Sequence, residues 1–347
     1  MARHRHTRPF AGALPALPRA CLAFLLFIGI EGCASRKAAA LPQPEPQPYV
    51  RVARSADGTV ALEVATRRLT PNHTGRPVLW MVAVTHLGTP EYFGALQRFL
   101  DAQDLVLFEG VGATNRHFQL RESSEFSLQS ELAKAIGLEF QLEAIDYDRP
   151  HFRNSDLSVP QLERVFADRS RGGSRAGGGA EAGGGRAEFG ALIDLMQGNG
   201  FAGGIVRLGL SVIRSSARLQ AATRLAFIEL LGGLPADLTR LPGLAPGLQS
   251  LMRVIVEERN RTVVADVRAA VRSRRPPRSV AVFYGAGHMA DLERRLCAEA
   301  GYQPVEDRWL TAFDVNPTTS GLSEMEMDFT RRLVRAQLDA LTQGKRP

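Results

Sequence analysis

The sequence predicts an α/β (α+β) fold: a mixed, largely parallel central sheet flanked by helices, with a helical cap inserted between the two halves. Two runs, 78–84 and 280–284, are apolar throughout, which is typical of strands buried on both faces of a parallel sheet. Each run passes through a short turn into a segment with the apolar spacing of a helix. Between them, residues 189–231 show helical patterns without strand signals, and this stretch predicts the cap.

The composition is that of a folded protein without a nucleic-acid partner. Of the 347 residues 44% are hydrophobic, which is enough for one large domain or two ordinary ones. The net charge of +7 and the pI near 9.8 arise from the basic segment 1–20 and from arginines spread over helices. No dense basic run interleaved with aromatic residues occurs, so we expect no nucleic-acid binding.

Residues 1–33 have the pattern of a bacterial lipoprotein signal. Their apolar core, 21–30, is shorter than the roughly 20 residues that span a bilayer. The ending Ile30-Glu31-Gly32-Cys33 resembles a lipobox, in which Cys33 carries lipid and becomes the mature N-terminus, although Glu31 departs from the small residue usual there. Since Ala34 is not the aspartate that often retains lipoproteins in the inner membrane, we expect anchoring at the periplasmic side of the outer membrane. An ordinary signal peptide and an uncleaved anchor are the alternatives.

Two low-complexity stretches divide the rest of the chain. Proline at every second position in 41–48 predicts a polyproline tether over 34–48, followed by a folded domain over 49–345. Within that domain, the glycine-dominated stretch 171–187 cannot bury enough apolar surface to order itself. We predict a flexible insertion there, followed by a helical insertion over 189–245.

The first half of the domain alternates between strands and helices. A hairpin around Asp57-Gly58 opens it. Thr89 and Pro90 are a typical cap and first residue of a helix, and Gly137 is a typical helix stop. In order, the predicted elements are strands 50–55, 60–65 and 78–84, a helix beginning at 90, strand 105–108, a helix ending at 137, and strand 138–145.

A long helix predicted over 248–273 brings an arginine into the protein interior. Its buried stripe contains Val256, Val263 and Val267, and Arg259 falls on the same face. A buried guanidinium is costly unless it is paired, so Arg259 must have an ionic partner or a function. After this helix we predict strand 280–284 with its helix, a strand over 302–313, and a last helix over 322–341.

Ionisable side chains follow four of the predicted strands. His86, Glu109, Asp146 and His288 each stand where a strand ends, and in a mostly parallel sheet these ends meet along one edge. Two imidazoles and a carboxylate, with a position left for water, are the donors that a catalytic divalent metal requires. The alternative is that both histidines are hydrogen-bonded residues at strand ends, since no short metal-binding spacing occurs.

Several motifs in order resemble one protein family. Val84-Thr-His-Leu-Gly-Thr-Pro-Glu-Tyr-Phe93 and Asp104-Leu-Val-Leu-Phe-Glu-Gly110 are similar to the opening of the TraB/PrgY/GumN family, which is related to the TIKI metalloproteases. Glu257-Glu-Arg-Asn-Arg261, Tyr284-Gly-Ala-Gly-His288 and Ala300-Gly-Tyr302 resemble its downstream signature. The resemblance covers 78–156 and 251–305.

That resemblance implies roles for particular residues and a catalytic metal. It implies His86 and His288 as metal-site histidines, Glu109 as their acidic partner and catalytic carboxylate, and Arg259 as the family arginine. The ion would be Mn, Co or Zn and the activity that of a hydrolase acting on a peptide or protein. One departure occurs in the first motif, Ala83-Val-Thr-His86, which has alanine where the family has glycine.

The resemblance also extends to Asn154 and Asp156. Both lie in the segment 148–156, which is similar to the family sequence as well. We treat them, together with Asp146, as second-tier candidates for the site.

Three other functions compete with hydrolysis. The chain also resembles haem-binding lipoproteins of the ChaN type, in which an axial histidine or tyrosine holds the iron, and a non-catalytic pseudo-enzyme would keep the fold alone. Gly285-x-Gly287-x-x-Ala290 fits a dinucleotide fingerprint, but His288 occupies its middle. A serine hydrolase is not expected because no Gly-x-Ser-x-Gly occurs.

Overall fold

The computed structural model describes residues 45–110, 125–158, 161, 164–165, 208–237, 242–243 and 246–343. The predictions for the signal segment, for Cys33, for the insertion 171–187 and for the start of the helical insertion concern residues outside these ranges. In the described part of the chain, no helix combines the length and the apolar composition that crossing a membrane requires.

The elements follow one another along the chain largely as expected. The strands are β1 (Val50–Arg54), β2 (Val60–Pro71), β3 (Val78–Val84), β4 (Leu87–Gly88), β5 (Leu105–Phe108), β6 (Glu139–Phe140), β7 (Phe152–Asn154), β8 (Ser279–Gly285) and β9 (Tyr302–Val315). The helices are α1 (Pro90–Asp101), α2 (Glu125–Ala135), α3 (Gln141–Ala144), α4 (Ala217–Gly233), α5 (Pro246–Val271), α6 (Ala286–Ala300), α7 (Pro317–Ser320) and α8 (Glu324–Gln343).

A mixed sheet with the order β1-β2-β3-β8-β5-β7 forms the centre of the fold. The pairs β3–β8, β8–β5 and β5–β7 are parallel, whereas β1–β2, β2–β3 and β2–β9 are antiparallel. β9 pairs with β2 along its whole length, so β1 and β3 share the other edge of β2. The predicted α/β class with a mixed sheet and flanking helices is confirmed.

The two apolar runs become the central strands because their side chains are buried on both faces. Every residue from 79 to 84 and from 280 to 285 is buried. α1 begins as predicted: the Thr89 hydroxyl accepts a hydrogen bond from the Tyr92 backbone N–H, and Pro90 stands in the first turn. Its buried face, which includes Phe93 and Leu96, packs into the same core.

The predicted strand 138–145 is wrong. After Gly137, whose φ of +70° ends the preceding helical segment, only Glu139 and Phe140 are extended, and they pair with β4 in a separate two-stranded sheet. The chain then turns into α3. The apolar residues at 138, 142 and 145 fit a helix as well as a strand, and a segment this short does not separate the two periods.

The helical insertion lies against the antiparallel part of the sheet in so far as the structure describes it. Residues 208–214 are helical, and α4 follows after the cap Ser216. α4 contacts β1, β2 and β9 on one side and α8 on the other. It therefore supports the sheet at the end away from β5 and β7.

A buried ion cluster holds the first residues of the domain in place. The Arg67 guanidinium donates two hydrogen bonds to Asp307, at 2.6 and 2.8 Å, one to Glu293 Oε2 at 2.8 Å, and one to the Gln47 carbonyl at 3.0 Å. The same carboxylate oxygen accepts the Tyr49 hydroxyl at 2.6 Å, and the guanidinium carbon lies 4.4 Å from the centre of the Tyr49 ring. Arg67 thereby joins the end of the predicted tether to α6 and β9.

We expect Arg67→Met to lower the free energy of unfolding by about 3–5 kcal/mol, because the buried Glu293 carboxylate would lose its cation. The control is Arg68→Met, one residue further along β2. Arg68 pairs with Glu306 at 2.8 Å, but its side chain is 36% exposed, so its loss should cost less than about 1 kcal/mol. Urea unfolding followed by circular dichroism measures both. Equal losses would contradict the assignment of Arg67 as a structural cation.

Candidate active site at the carboxyl edge of the sheet

Three of the predicted site residues meet where β3, β5 and β8 end. These strands are parallel and in register, with Val84 beside Gly285 and Phe108 beside Phe283. Glu109 directly follows β5, His86 follows β3 by two residues, and His288 lies in the first turn of α6. The parallel sheet therefore delivers two imidazoles and one carboxylate to the same edge.

The Glu109 carboxylate is fixed from two sides. Its Oε2 accepts the backbone N–H of Gly285 at 2.8 Å, and its Oε1 accepts Nη2 of Arg259 at 2.6 Å. A side chain at Gly285 would place its Cβ 3.2 Å from Glu109 Oε2, so the absence of a side chain there allows this close approach. Burial raises the pKa of Glu109, while the charge of His86 and the Gly285 N–H oppose that rise. The carboxylate still keeps 18% of its side chain exposed.

Arg259 joins Glu109 to a second acid, Asp156. Its Nε and Nη2 form a fork with the two oxygens of Asp156, at 2.8 and 2.7 Å, and the Asp156 side chain is wholly buried. The backbone N–H groups of Gly110 and Leu157 also donate to Asp156. Burial lowers the pKa of Arg259 to about 10, so this arginine remains a cation at neutral pH. The expectation that Arg259 has an ionic partner is confirmed, and Asp156 belongs to the site.

His288 is held in one tautomer by a carboxamide. Its Nδ1 lies 2.6 Å from Asn260 Oδ1, and the Asn260 amide nitrogen donates to Asp291 Oδ2 at 2.9 Å. Because a carboxylate only accepts, the amide nitrogen must face Asp291 and the amide oxygen must face the imidazole. Nδ1 therefore carries the proton, which leaves Nε2 as the basic nitrogen, 3.6 Å from Glu109 Oε1. Burial, together with the charges of Arg259 and His86, lowers the pKa of His288 well below its usual value, so the ring is neutral at neutral pH.

His86 has a similar arrangement on the other side. Its Nδ1 lies 2.8 Å from Gln141 Oε1, and the Gln141 amide nitrogen donates to the Tyr147 hydroxyl at 2.8 Å. The Gln141 backbone N–H also donates to the His86 carbonyl. His86 is close enough to Glu109 and His288 for its charge to influence the pKa of both. Two neutral amides thus orient the two histidines.

The structure does not bring Asp146 into this cluster. Its side chain is half exposed, accepts the Asp148 backbone N–H and pairs with Arg149 at 3.3 Å. Asp146 lies elsewhere because it follows the helix α3 and not, as predicted, a strand of the main sheet. Asn154 lies nearer: its amide donates to the carbonyl of Gly110, the residue after Glu109, at 2.7 Å, and so supports the backbone there.

The donors at this edge fit a divalent metal in kind. Two imidazoles, one of them with Nε2 as its basic nitrogen, beside a carboxylate are ligands that Mn, Co and Zn accept. Hydrogen bonding of the other ring nitrogen is what metal-binding histidines show. As they stand, however, the described residues contain no group of three His, Cys, Asp or Glu side chains spaced to hold an ion. Arg259 Nη2 also donates a hydrogen bond to Glu109 Oε1, so one carboxylate oxygen already has a cationic partner.

Sequence reasoning missed the two carboxamides. Asn260 had a signal: it is a polar residue in the buried stripe of α5, four residues after Val256 and three before Val263, and it is fully buried. A polar residue in such a stripe needs a hydrogen-bond partner inside the protein. Gln141 gave no such signal, because its position depends on the turn from β6 into α3.

We expect Arg259→Met to lower the free energy of unfolding by about 3–5 kcal/mol, because it leaves Asp156 buried without a cation. Arg259→Met combined with Asp156→Asn should recover part of this loss, through a coupling on the order of 0.5–3 kcal/mol. The control Arg268→Met lies on the same helix, where Arg268 is 40% exposed and 3.7 Å from Glu299, and should cost less than about 1 kcal/mol. Urea unfolding of these proteins and of Asp156→Asn alone completes the double-mutant cycle, and strict additivity would argue against the buried pair.

We expect nitrogen NMR of the histidine rings to find Nδ1 protonated in His288 and the ring neutral well below pH 6.5. In the unfolded chain an imidazole titrates near pH 6.5. Between the folded pKa and about 6.5 the unfolded state therefore binds more protons, so this residue's contribution to stability falls as the pH is lowered through that window. The stability difference between wild type and His288→Gln should accordingly shrink in acid. A ring that titrates normally would refute the buried neutral tautomer.

Comparison with known proteins adds no family to this geometry: no family model, no curated protein and no solved structure matches the chain.

Proposed function

We propose that the chain is a metal-dependent hydrolase of the TraB/PrgY/GumN type that its motifs resemble, acting on a peptide or protein. We further propose that lipid on Cys33 anchors it in the bacterial cell envelope, at the periplasmic side of the outer membrane. The observation that carries the hydrolase proposal is the pair of imidazoles at one sheet edge, each with Nδ1 bonded to a carboxamide oxygen, beside the Glu109 carboxylate.

In this proposal His86, His288 and Glu109 hold the ion. When bound, a divalent Mn, Co or Zn ion supplies Lewis acidity, which activates water and polarises the carbonyl of a substrate. The Asn260 carboxamide keeps the proton of the His288 imidazole on Nδ1, and Gln141 Oε1 lies 2.8 Å from Nδ1 of His86. Nε2 of each ring would be the nitrogen that binds the ion.

The remaining charged groups place and balance the carboxylate. Glu109 is the side chain suited to accept a proton from water, since burial raises its pKa and thereby its affinity for a proton. Arg259 donates to Glu109 at 2.6 Å and remains cationic, so it stabilises negative charge that develops beside Glu109. Asp156 fixes the guanidinium and touches neither histidine in the described contacts.

Structural observations favour hydrolysis over the competing functions. The cavity that the described residues form beside the two histidine turns has about 60 Å³, whereas pockets for cofactor-sized ligands have roughly 300–1,000 Å³, which disfavours haem in that cavity. The Gly285 N–H, where a dinucleotide phosphate would bind, already donates to Glu109, whose charge repels phosphate. Ala83 lies in β3 beside Tyr284 within the hydrophobic core, so its methyl group is accommodated there, which disfavours a pseudo-enzyme.

We expect Mn, Co or Zn to stabilise the folded chain, by about 2.7 kcal/mol at 100 times the dissociation constant. His86→Ala and His288→Ala should each abolish this gain because each removes a ligand. The control His151→Ala should retain it, since His151 Nε2 lies 3.3 Å from the Leu100 carbonyl, outside the cluster. Thermal unfolding with each ion, together with metal analysis after dialysis, makes the measurement.

A peptide-library cleavage assay with the metal-loaded chain then tests the reaction. Cleavage should require the ion and be lost in Glu109→Gln. The proposal fails if wild type ignores every ion, or if the ion stabilises the two histidine variants as much as it stabilises wild type.

A further inference from the structure

A small apolar cavity lies beside the two turns that carry the histidines. It has a volume of about 60 Å³. Thr85, the residue before His86, and Gly287, the residue before His288, both line it, and Val84 and Ala286 extend the same walls. Consecutive Cα atoms are about 3.8 Å apart, so the cavity adjoins both histidine positions along the backbone.

We propose that this cavity is the subsite for a small aliphatic side chain of the substrate, the size of alanine to valine, next to the bond that is hydrolysed. The inference rests on the proposed hydrolase function and adds the class of side chain that the site selects. Because Thr85 and Gly287 line the cavity, a peptide with this side chain in the cavity would have its backbone near the turns that carry His86 and His288.

The lining sets the polarity of the side chain. Val50, Leu62, Leu231 and Leu234 also line it, and none of the described residues that line the cavity is charged. A charged side chain entering it would lose its hydration without gaining an ionic partner, which is costly. An aliphatic side chain has no strong hydration to lose, and its transfer from water into an apolar cavity lowers the free energy.

The volume sets the size of the side chain. A water molecule takes about 30 Å³ of the liquid, and an apolar cavity of about 150 Å³ is needed to admit benzene. A cavity of about 60 Å³ therefore admits a group of a few carbons and excludes an aromatic ring.

The walls are held rigidly, which is what size selection requires. Tyr49, which lines the cavity, is buried, donates its hydroxyl to Glu293 at 2.6 Å and stacks with the buried Arg67. Val84 lies in the central sheet in register with Gly285. The cavity therefore cannot enlarge on this side without breaking the Arg67 cluster or the sheet.

The test is methyl NMR of the folded, metal-free chain titrated with the N-acetyl N-methylamides of glycine, alanine, valine and phenylalanine. The valine compound should shift the methyl signals of Val84, Leu231 and Ala286 and bind about 10-fold more tightly than the glycine compound, since added methylenes in a fitted pocket are worth factors of this order. The phenylalanine compound should bind no better than glycine. Absence of shifts at these methyl groups would overturn the proposal.

Two substitutions with matched controls sharpen the result. Ala236→Leu adds bulk to the cavity lining and should remove the preference for valine, whereas Ala336→Leu, on the exposed side of α8, should leave it unchanged. Leu234→Ala should enlarge the cavity and allow phenylalanine to bind, whereas Leu333→Ala, at an exposed position, should not. Unchanged selectivity in both cavity variants would overturn the proposal.

Hydrolysis of the matching peptides by the metal-loaded chain separates the two proposals. Cleavage with a kcat/KM that is highest before or after alanine and valine, and that loses this preference in Ala236→Leu, supports both. Metal-dependent cleavage without side-chain preference overturns the subsite and leaves the hydrolase. Selective amide binding without metal uptake or cleavage overturns the hydrolase, and with it the role of the cavity in hydrolysis.

Discussion

The ion pair that Arg259 forms with Asp156 and Glu109 is the constraint on which the site depends. It joins three segments that are far apart in sequence: the end of β5, the residues after β7, and the middle of α5. Burying a guanidinium and a carboxylate carries a large desolvation free energy. The attraction between the two groups compensates for it only when the geometry is good and the remaining lone pairs accept hydrogen bonds. Here the fork to Asp156 and the backbone N–H groups of Gly110 and Leu157 meet that condition. Glu109 therefore takes its position from a buried pair and not from a surface contact.

The side chains within hydrogen-bond distance of Nδ1 of the two histidines are carboxamides and not carboxylates. A carboxylate bonded to an imidazole stabilises the protonated ring and raises its pKa. Asn260 accepts a hydrogen bond from Nδ1–H of His288 without adding negative charge, so it fixes the tautomer of that ring, and Gln141 Oε1 lies 2.8 Å from Nδ1 of His86. The Asp291 carboxylate accepts a hydrogen bond from the Asn260 amide nitrogen, which orients the amide, and it also forms an ion pair with Arg295. Asn260 thus orients the His288 imidazole, whereas the negative charge lies on Asp291, which contacts the Asn260 amide.

The sequence predicts which residues follow the strands of the parallel sheet, but it does not predict the contacts between segments that are far apart in the chain. His86, Glu109 and His288 could be placed together because uninterrupted apolar runs identify buried strands, and parallel strands end at one edge. The need of Arg259 for a partner followed from its place in an apolar stripe, but Asp156 could not be chosen from the other acids, since 103 residues separate the pair and only tertiary packing selects it. Asp146 was misplaced because Leu138, Phe140, Leu142 and Ile145 satisfy both a strand and a helix pattern. The position of Gln141 could not be predicted either, because it depends on the same turn from β6 into α3.

The separate β4–β6 pair means that the two histidines are held by different parts of the fold. His288 stands on a helix that continues directly from the central strand β8, and its imidazole is buried against α5 through Asn260. His86 stands between β3 and a ladder of only two residue pairs, and both its backbone carbonyl and its ring are bonded to Gln141. The position of His86 therefore depends on the short β4–β6 ladder and, through Gln141, on α3, whereas the position of His288 depends on the central sheet and on α5.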